Sequence, residues 1–187
     1  MGIVYDDLLL DCIFWNLLAN FLEKMSYSFV CNRPKTFLSI MKHYTSLTDP
    51  CEFVHRCLMT GKVGQVAPLV YAWFNIGTIP SLTSLTTFIL VAAFVAGQIL
   101  NFSVYNAIGF NGVYYGIKFG KKIPWTYAFP YNVTWLKHPQ YIGAVLSILG
   151  GFLLAFEDAS NFHKLFFTAG TIFCYIFIGI IEENFAV

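Results

Sequence analysis

The chain has 187 residues, of which 57% are hydrophobic, 19% aromatic and 11% charged, with a mean hydropathy of +0.64 and a formal net charge of +1. Soluble domains carry about 45–50% apolar and about 25% charged residues, so this composition points away from that class and predicts an integral membrane protein. Eleven Lys and Arg spread along the chain form no basic stripe, which sets nucleic-acid binding aside.

The opening stretch, MGIVYDDLLLD, has acids where a signal peptide needs bases and lacks the Arg-rich character of a transit peptide, so internal spans are expected to carry any organellar address. Asp6 stands where a myristoylation motif wants Ser or Thr. Residues 8–30 are apolar but interrupted by Asp11, Asn16, Asn20, Glu23 and Lys24, a pattern that predicts an amphipathic or half-inserted helix. Residues 31–62 carry Arg33, Pro34, Lys35, Lys42, Asp49, Pro50, Glu52, Arg56 and Lys62 and read as an interfacial stretch, helical in pieces. The cysteines at 12, 31, 51, 57 and 174 form no CxxC pair. The Cys51, His55, Cys57 spacing matches no usual structural zinc site, so free thiols and no metal are expected.

From Val63 the character changes. Residues 63–80 are a first span candidate with Pro68 near its start, 82–108 a second, and 141–156 and 163–181 the last two, joined by the turn EDASNFH. The predicted fold is all-α: a multi-pass membrane helical bundle of about four transmembrane helices plus the N-terminal helix. It forms a single domain over 1–187, with an interfacial part (1–62) and a helical core (63–187).

Two spans separate the loop at 109–140 from the C-terminus, so His138 and Glu182-Glu183 should emerge on one membrane face. That loop carries Lys118, Lys121, Lys122 and Lys137 and no acid, whereas the opposite turn carries Glu157 and Asp158. The positive-inside bias then puts the loop and the C-terminus on the cytosolic or matrix side, in an endoplasmic reticulum or mitochondrial membrane. On that side the sequon Asn132-Val133-Thr134 would stay unglycosylated. Gly109, Gly112, Gly116 and Gly120 recur three or four apart, as do Gly143, Ser147 and Gly151. Both runs suit close helix packing or the approach of backbone to a flat ligand.

Carboxylates at the mouth of a span are a functional hypothesis by default, which marks Glu182 and Glu183, although the end of a last helix can carry acids for solvation alone. Lys137 and His138 could likewise be ordinary interfacial anchors. A cation pair sharing a face with a carboxylate pair suits a zwitterionic ligand such as an amino acid moiety.

The string Lys137-His138-Pro139-Gln140-Tyr141-Ile142-Gly143, with Glu182-Glu183 after one further span, resembles the integral-membrane methyltransferases. GFNGVYYGIKFG, then FPYN at 129–132, HPQYIG and EENF occur in the order seen in phosphatidylethanolamine N-methyltransferases, and Trp15-Asn16 with Ala19 is loosely similar to their N-terminal signature. The resemblance implies S-adenosylmethionine as methyl donor and a phospholipid headgroup amine as acceptor, with membrane phospholipids as partners; other membrane subunits are partners expected under the non-catalytic alternative given below. It implies catalytic roles for Glu182, Glu183 and His138. It implies a cofactor site made of Gly97, Lys137, His138, Tyr141, Gly143, Glu182 and Glu183, in which the acid pair meets the donor's amino group and Lys137 and His138 its carboxylate. The family carries Gly-x-Gly where this chain has Val95-Ala96-Gly97, and a β-branched Val95 is expected to crowd the cofactor. That departure, and the few residues after Glu183, keep open an alternative: a methyltransferase-derived subunit of a larger membrane complex, such as one of the mitochondrial inner membrane, that does not catalyse. A further alternative is carboxyl methylation of a prenylated cysteine, whose enzymes share the basic-His-Pro-x-Tyr pattern; FPYN argues for the phospholipid branch.

Overall fold

The computed structural model describes residues 2–81 and 83–185, and among them all regular structure is helical. Helices α1 (Gly2–Asn32), α2 (Pro34–Tyr44), α3 (Pro50–Ile76), α4 (Leu85–Val113), α5 (Pro139–Ala155) and α6 (Asn161–Phe185) follow in order, with a 3-10 turn at Gly116–Phe119 between α4 and α5.

The polar residues that interrupt α1 decide where it sits. Asn16, Asn20, Glu23 and Lys24 fall on one helical face, and that face is 1–5% exposed, while Phe14, Trp15, Leu22 and Met25 point outward. Asn16 Nδ2 donates to the Gln65 carbonyl at 2.6 Å. Glu23 Oε2 accepts from Lys24 Nζ at 2.7 Å, Gln65 Nε2 at 2.8 Å and Lys62 Nζ at 3.0 Å. The sequence predicts an amphipathic or half-inserted helix here; in the fold α1 turns its polar face inward and packs on α3 and α6. The reason is that buried charges are tolerable where they pair with one another.

α2 starts on Pro34 and buries Phe37 and Met41 one turn apart, leaving Lys42 and His43 in its last turn. Asp49 caps α3, accepting from the Cys51 amide at 2.8 Å, with Pro50 in the first turn. The stretch 31–62 is thus α2 plus the first half of α3. The span expected to start at Val63 belongs to a helix continuous from Pro50 through Pro68 to Ile76.

α4 packs most extensively on α5. A Cβ on Gly97 would collide with the Gly143 carbonyl oxygen and Ser147 Oγ, and one on Gly143 would come within 2.7 Å of the Gly97 carbonyl. Small residues let the two backbones touch. The stripe continues through Gly150, where a Cβ would lie 2.8 Å from the Leu90 carbonyl oxygen, and not through Gly151 as expected. Gly109, at φ 67°, breaks α4 where the second span was expected to end. With Tyr115 (φ 58°) and Gly120 (φ 77°) also at positive φ, the run 109–120 is broken by reversals and does not present one helical face.

The α4 segment Leu85–Phe119 and the α6 segment Asn161–Asn184 are long and apolar enough to cross a bilayer, each with hydropathy 1.9. Where about four such helices were expected, α5 is apolar but only 17 residues long. α1 and α3 carry the charged residues that bind them to each other. The turn from α5 to α6 packs in an apolar cluster where Phe152 and Phe167 stack at 3.8 Å. α6 then runs back to the end where α5 begins.

Candidate functional site

That return brings His138 Nε2 within 3.2 Å of Glu183 Oε1, so the loop and the acid pair share one end of the bundle, as the span arithmetic requires. Beside this contact lies a cavity of about 280 Å³. Tyr27 and Cys31 of α1 form one wall, Gly112 and Tyr115 another, Trp125 and Tyr131 of the loop a third. Lys137, His138, Tyr141 and Glu182 close it.

Glu182 is the hub. Its Oε1 accepts from the hydroxyls of both Tyr115 and Tyr141. Tyr141 is delivered by the first turn of α5, which starts on Pro139, and the His138 ring stacks on it at 5.6 Å and 13°. Tyr115 arrives through a left-handed backbone, a conformation that non-glycine residues hold only when surrounding structure over-determines it. Its ring also meets Tyr27 edge-on at 5.4 Å, so α1 takes part in the site.

The two carboxylates diverge. Glu182 faces this cavity, whereas Glu183, one position on and about 100° round the helix, lines an adjoining groove between α5 and α6 of about 460 Å³. Lys137, His138 and Tyr141 border both. Gly97 and Gly143 line neither and instead occupy the α4–α5 contact. The Val95 side chain is 48% exposed on α4 and lines neither the cavity nor the groove. Of the residues named from sequence, Lys137, His138, Tyr141 and Glu182 converge on one cavity and Glu183 joins through His138.

Sequence reasoning missed Tyr27, Tyr115, Trp125 and Tyr131 as wall residues. Tyr115 lies inside the quoted GFNGVYYGIKFG run, but its role depends on a backbone reversal that spacing does not reveal.

The loop that carries Trp125 and Tyr131 is tied down at its start. Lys121 Nζ reaches Asp49 Oδ1 at 2.6 Å and Asn111 Oδ1 at 2.9 Å. The hydrogen bond from Lys121 holds the Asp49 carboxyl below its ordinary range. Burial works against the Lys121 charge, but the bond to Asp49 and neighbouring groups raise its pKa overall. Burial, then the Glu182 carboxylate, push the Tyr131 phenol up, so it stays a hydrogen-bond donor at neutral pH.

Residues 85–187, more than half of the chain and all of the cavity except its α1 wall, match the model of the phospholipid methyltransferase family. The chain belongs to the phospholipid methyltransferase family. It is similar to a phosphatidyl-N-methylethanolamine N-methyltransferase of Arabidopsis thaliana, with 51% identity over 53 residues. That match spans 28% of this chain and 31% of the relative's length. No solved structure matches the chain. Within a phospholipid methyltransferase, the Glu182 hub and its Lys137-His138 rim are the groups whose geometry can meet a charged ligand.

Proposed function

We propose that this protein transfers a methyl group from S-adenosylmethionine to the headgroup amine of a phospholipid, phosphatidylethanolamine or one of its methylated forms. The observation that carries the reading is the convergence of Lys137, His138, Tyr141 and Glu182 on one cavity in a chain of this family. The likeness to a phosphatidyl-N-methylethanolamine N-methyltransferase of Arabidopsis thaliana supports the same acceptor class.

The residues fit the donor. The cavity is near the lower edge of the roughly 300–1,000 Å³ typical of ligand sites, and it offers a carboxylate, a cation pair and aromatic faces. Glu182 would hold the donor's amino group, Lys137 and His138 its carboxylate, and Trp125 and Tyr131 its flat base. S-adenosylmethionine, when bound, supplies an electrophilic methyl on a sulfonium. The protein's part is then positioning and charge placement, with the Tyr27 and Tyr115 faces suited to a cation. The acceptor amine must be neutral to attack. Glu183, which lies outside the Tyr115–Tyr141 hub with Oε1 3.2 Å from His138 Nε2, is the group that takes its proton.

We further place the protein as a multi-pass membrane protein of the endoplasmic reticulum or mitochondrion. The cavity then lies at the cytosolic or matrix face, and the chain acts as one unit, since α1 supplies a wall of a cavity otherwise built from 85–187. Radiolabelled methyl transfer to phosphatidylethanolamine and its monomethyl and dimethyl forms, in membranes carrying the full chain, tests the reading. Transfer no greater than that of a Glu182→Ala, Glu183→Ala double variant would remove it.

A further inference from the structure

A second cavity, about 620 Å³, lies between α3 on one side and the α4–α5 pair on the other. Its lining changes character along its length. Lys62, Asn101 and Asn20 mark the end nearer the first cavity, while Trp73, Phe152 and Phe156 line the far end. A polar end and an apolar end in one cleft match an amphipathic ligand.

The polar end also carries unbalanced charge. Glu23 Oε2 is shared by Lys24 and Lys62, so two ammonium groups meet one carboxylate and the cluster holds a net charge of +1. Among the described residues no Asp or Glu lines the cleft to offset it. Uncompensated charge inside a bilayer is costly and marks a ligand path or partner. Two buried groups in the lining also have no partner: Asn20 Oδ1, in a side chain 1% exposed, and the Tyr175 hydroxyl, in one 5% exposed. A buried polar atom left unpaired is uncommon enough to call for an explanation.

We propose that this cleft binds the acceptor phospholipid, its phosphodiester against Lys62, Asn101 and the Tyr175 hydroxyl, and its acyl chains along Trp73, Phe152 and Phe156. The phosphodiester's single negative charge offsets the cluster's, and one of its oxygens accepts from the Tyr175 hydroxyl, which otherwise lacks a partner. The cleft adjoins the methyl-transfer site through two rings. Tyr175 borders the cleft and the α5–α6 groove, and its ring lies 5.7 Å from Tyr141, which borders the first cavity. An ethanolamine nitrogen, two carbons beyond the phosphate oxygen, thus extends from Lys62 toward the donor site. The role as acceptor site rests on the methyl-transfer reading above; the phosphodiester binding does not.

The test uses the purified full chain in detergent, titrated with dioleoyl phosphatidylethanolamine, dioleoyl phosphatidylglycerol or dioleoylglycerol and read by native mass spectrometry. Both phospholipids are expected to bind and the diacylglycerol, which lacks phosphate, is not. Lys62→Met should weaken phospholipid binding at least tenfold. Asn101→Leu, across the cleft and outside the Glu23 cluster, should weaken it several-fold even if Lys62→Met fails to fold. Both variants should bind S-adenosylhomocysteine like the parent by calorimetry, and phosphatidylglycerol should compete with phosphatidylethanolamine in methyl transfer. Phospholipid binding unchanged within twofold in the folded variants, diacylglycerol bound as tightly as phosphatidylethanolamine, or no competition by phosphatidylglycerol would each overturn the proposal. Loss of S-adenosylhomocysteine binding by the parent chain would instead strike the methyltransferase reading and leave the lipid titration interpretable.

Discussion

Glu182 separates a ligand-binding role from a structural one, because two substitutions there should behave differently. In the folded chain its Oε1 accepts from the Tyr115 and Tyr141 hydroxyls. Glu182→Gln keeps an oxygen acceptor for them and removes only the charge. Glu182→Ala removes the acceptor from both. Leaving a fully buried hydroxyl unpaired costs about 1–3 kcal/mol; the two here are part-buried at a cavity wall, so the alanine variant should lose about 1–3 kcal/mol in all, a sizeable share of the roughly 5–15 kcal/mol by which a domain is stable. For ligand binding, truncating one partner of a desolvated charge pair costs about 2–5 kcal/mol, and every 1.4 kcal/mol or so is tenfold in affinity. Glu182→Gln should therefore melt close to the parent in detergent while its affinity for S-adenosylhomocysteine, measured by calorimetry, falls at least tenfold. Glu182→Ala should lose both. A glutamine variant that binds as tightly as the parent would refute the assignment of Glu182 to the donor's amino group.

Val95→Gly should leave S-adenosylhomocysteine affinity within about twofold of the parent, well under the 1.4 kcal/mol that a tenfold change requires, because that side chain faces outward; calorimetry checks it. Gly97→Val should lower stability by about 1–3 kcal/mol or more, seen as an earlier detergent melt, since a Cβ there meets the Gly143 carbonyl and Ser147 Oγ. Asp49→Asn should cost less than about 1 kcal/mol at neutral pH, the pair being part-exposed. The Asp49 pKa is lowered on folding, so its contribution is present above the unfolded carboxyl value of about 3.9 and fades as pH falls through the folded one. Melts of parent and variant should converge at low pH.

Much of the site was legible because it depends on topology. A chain that turns once between Ala155 and Asn161 must return Glu182 and Glu183 to the end where His138 stands, whatever the packing. The parts that were not legible depend on what covers a face. Spacing shows that Asn16, Asn20, Glu23 and Lys24 share one side of a helix, but only the neighbours show whether that side meets water or Lys62 and Gln65. The small-residue stripe on α5 was read one residue off at its end, since Gly150 and Gly151 are equal candidates until α4 is docked. Gly97 and Gly143 share one contact because α4 and α5 are adjacent, a pairing that sequence order alone leaves open.

The short length of α5 bears on the lipid around it. At 1.5 Å per residue its 17 residues extend about 25 Å, against a hydrocarbon thickness of about 30 Å. In a bilayer this hydrophobic mismatch is met by local thinning beside α5 or by recession of one of its ends. Thinning would draw headgroups inward along the same helix that borders the cleft and ends at His138. It would also favour residence in thinner membranes, since a thick, sterol-rich bilayer must deform more to meet the same helix. Reconstitution into vesicles of graded acyl-chain length would then show activity peaking in the thinner ones.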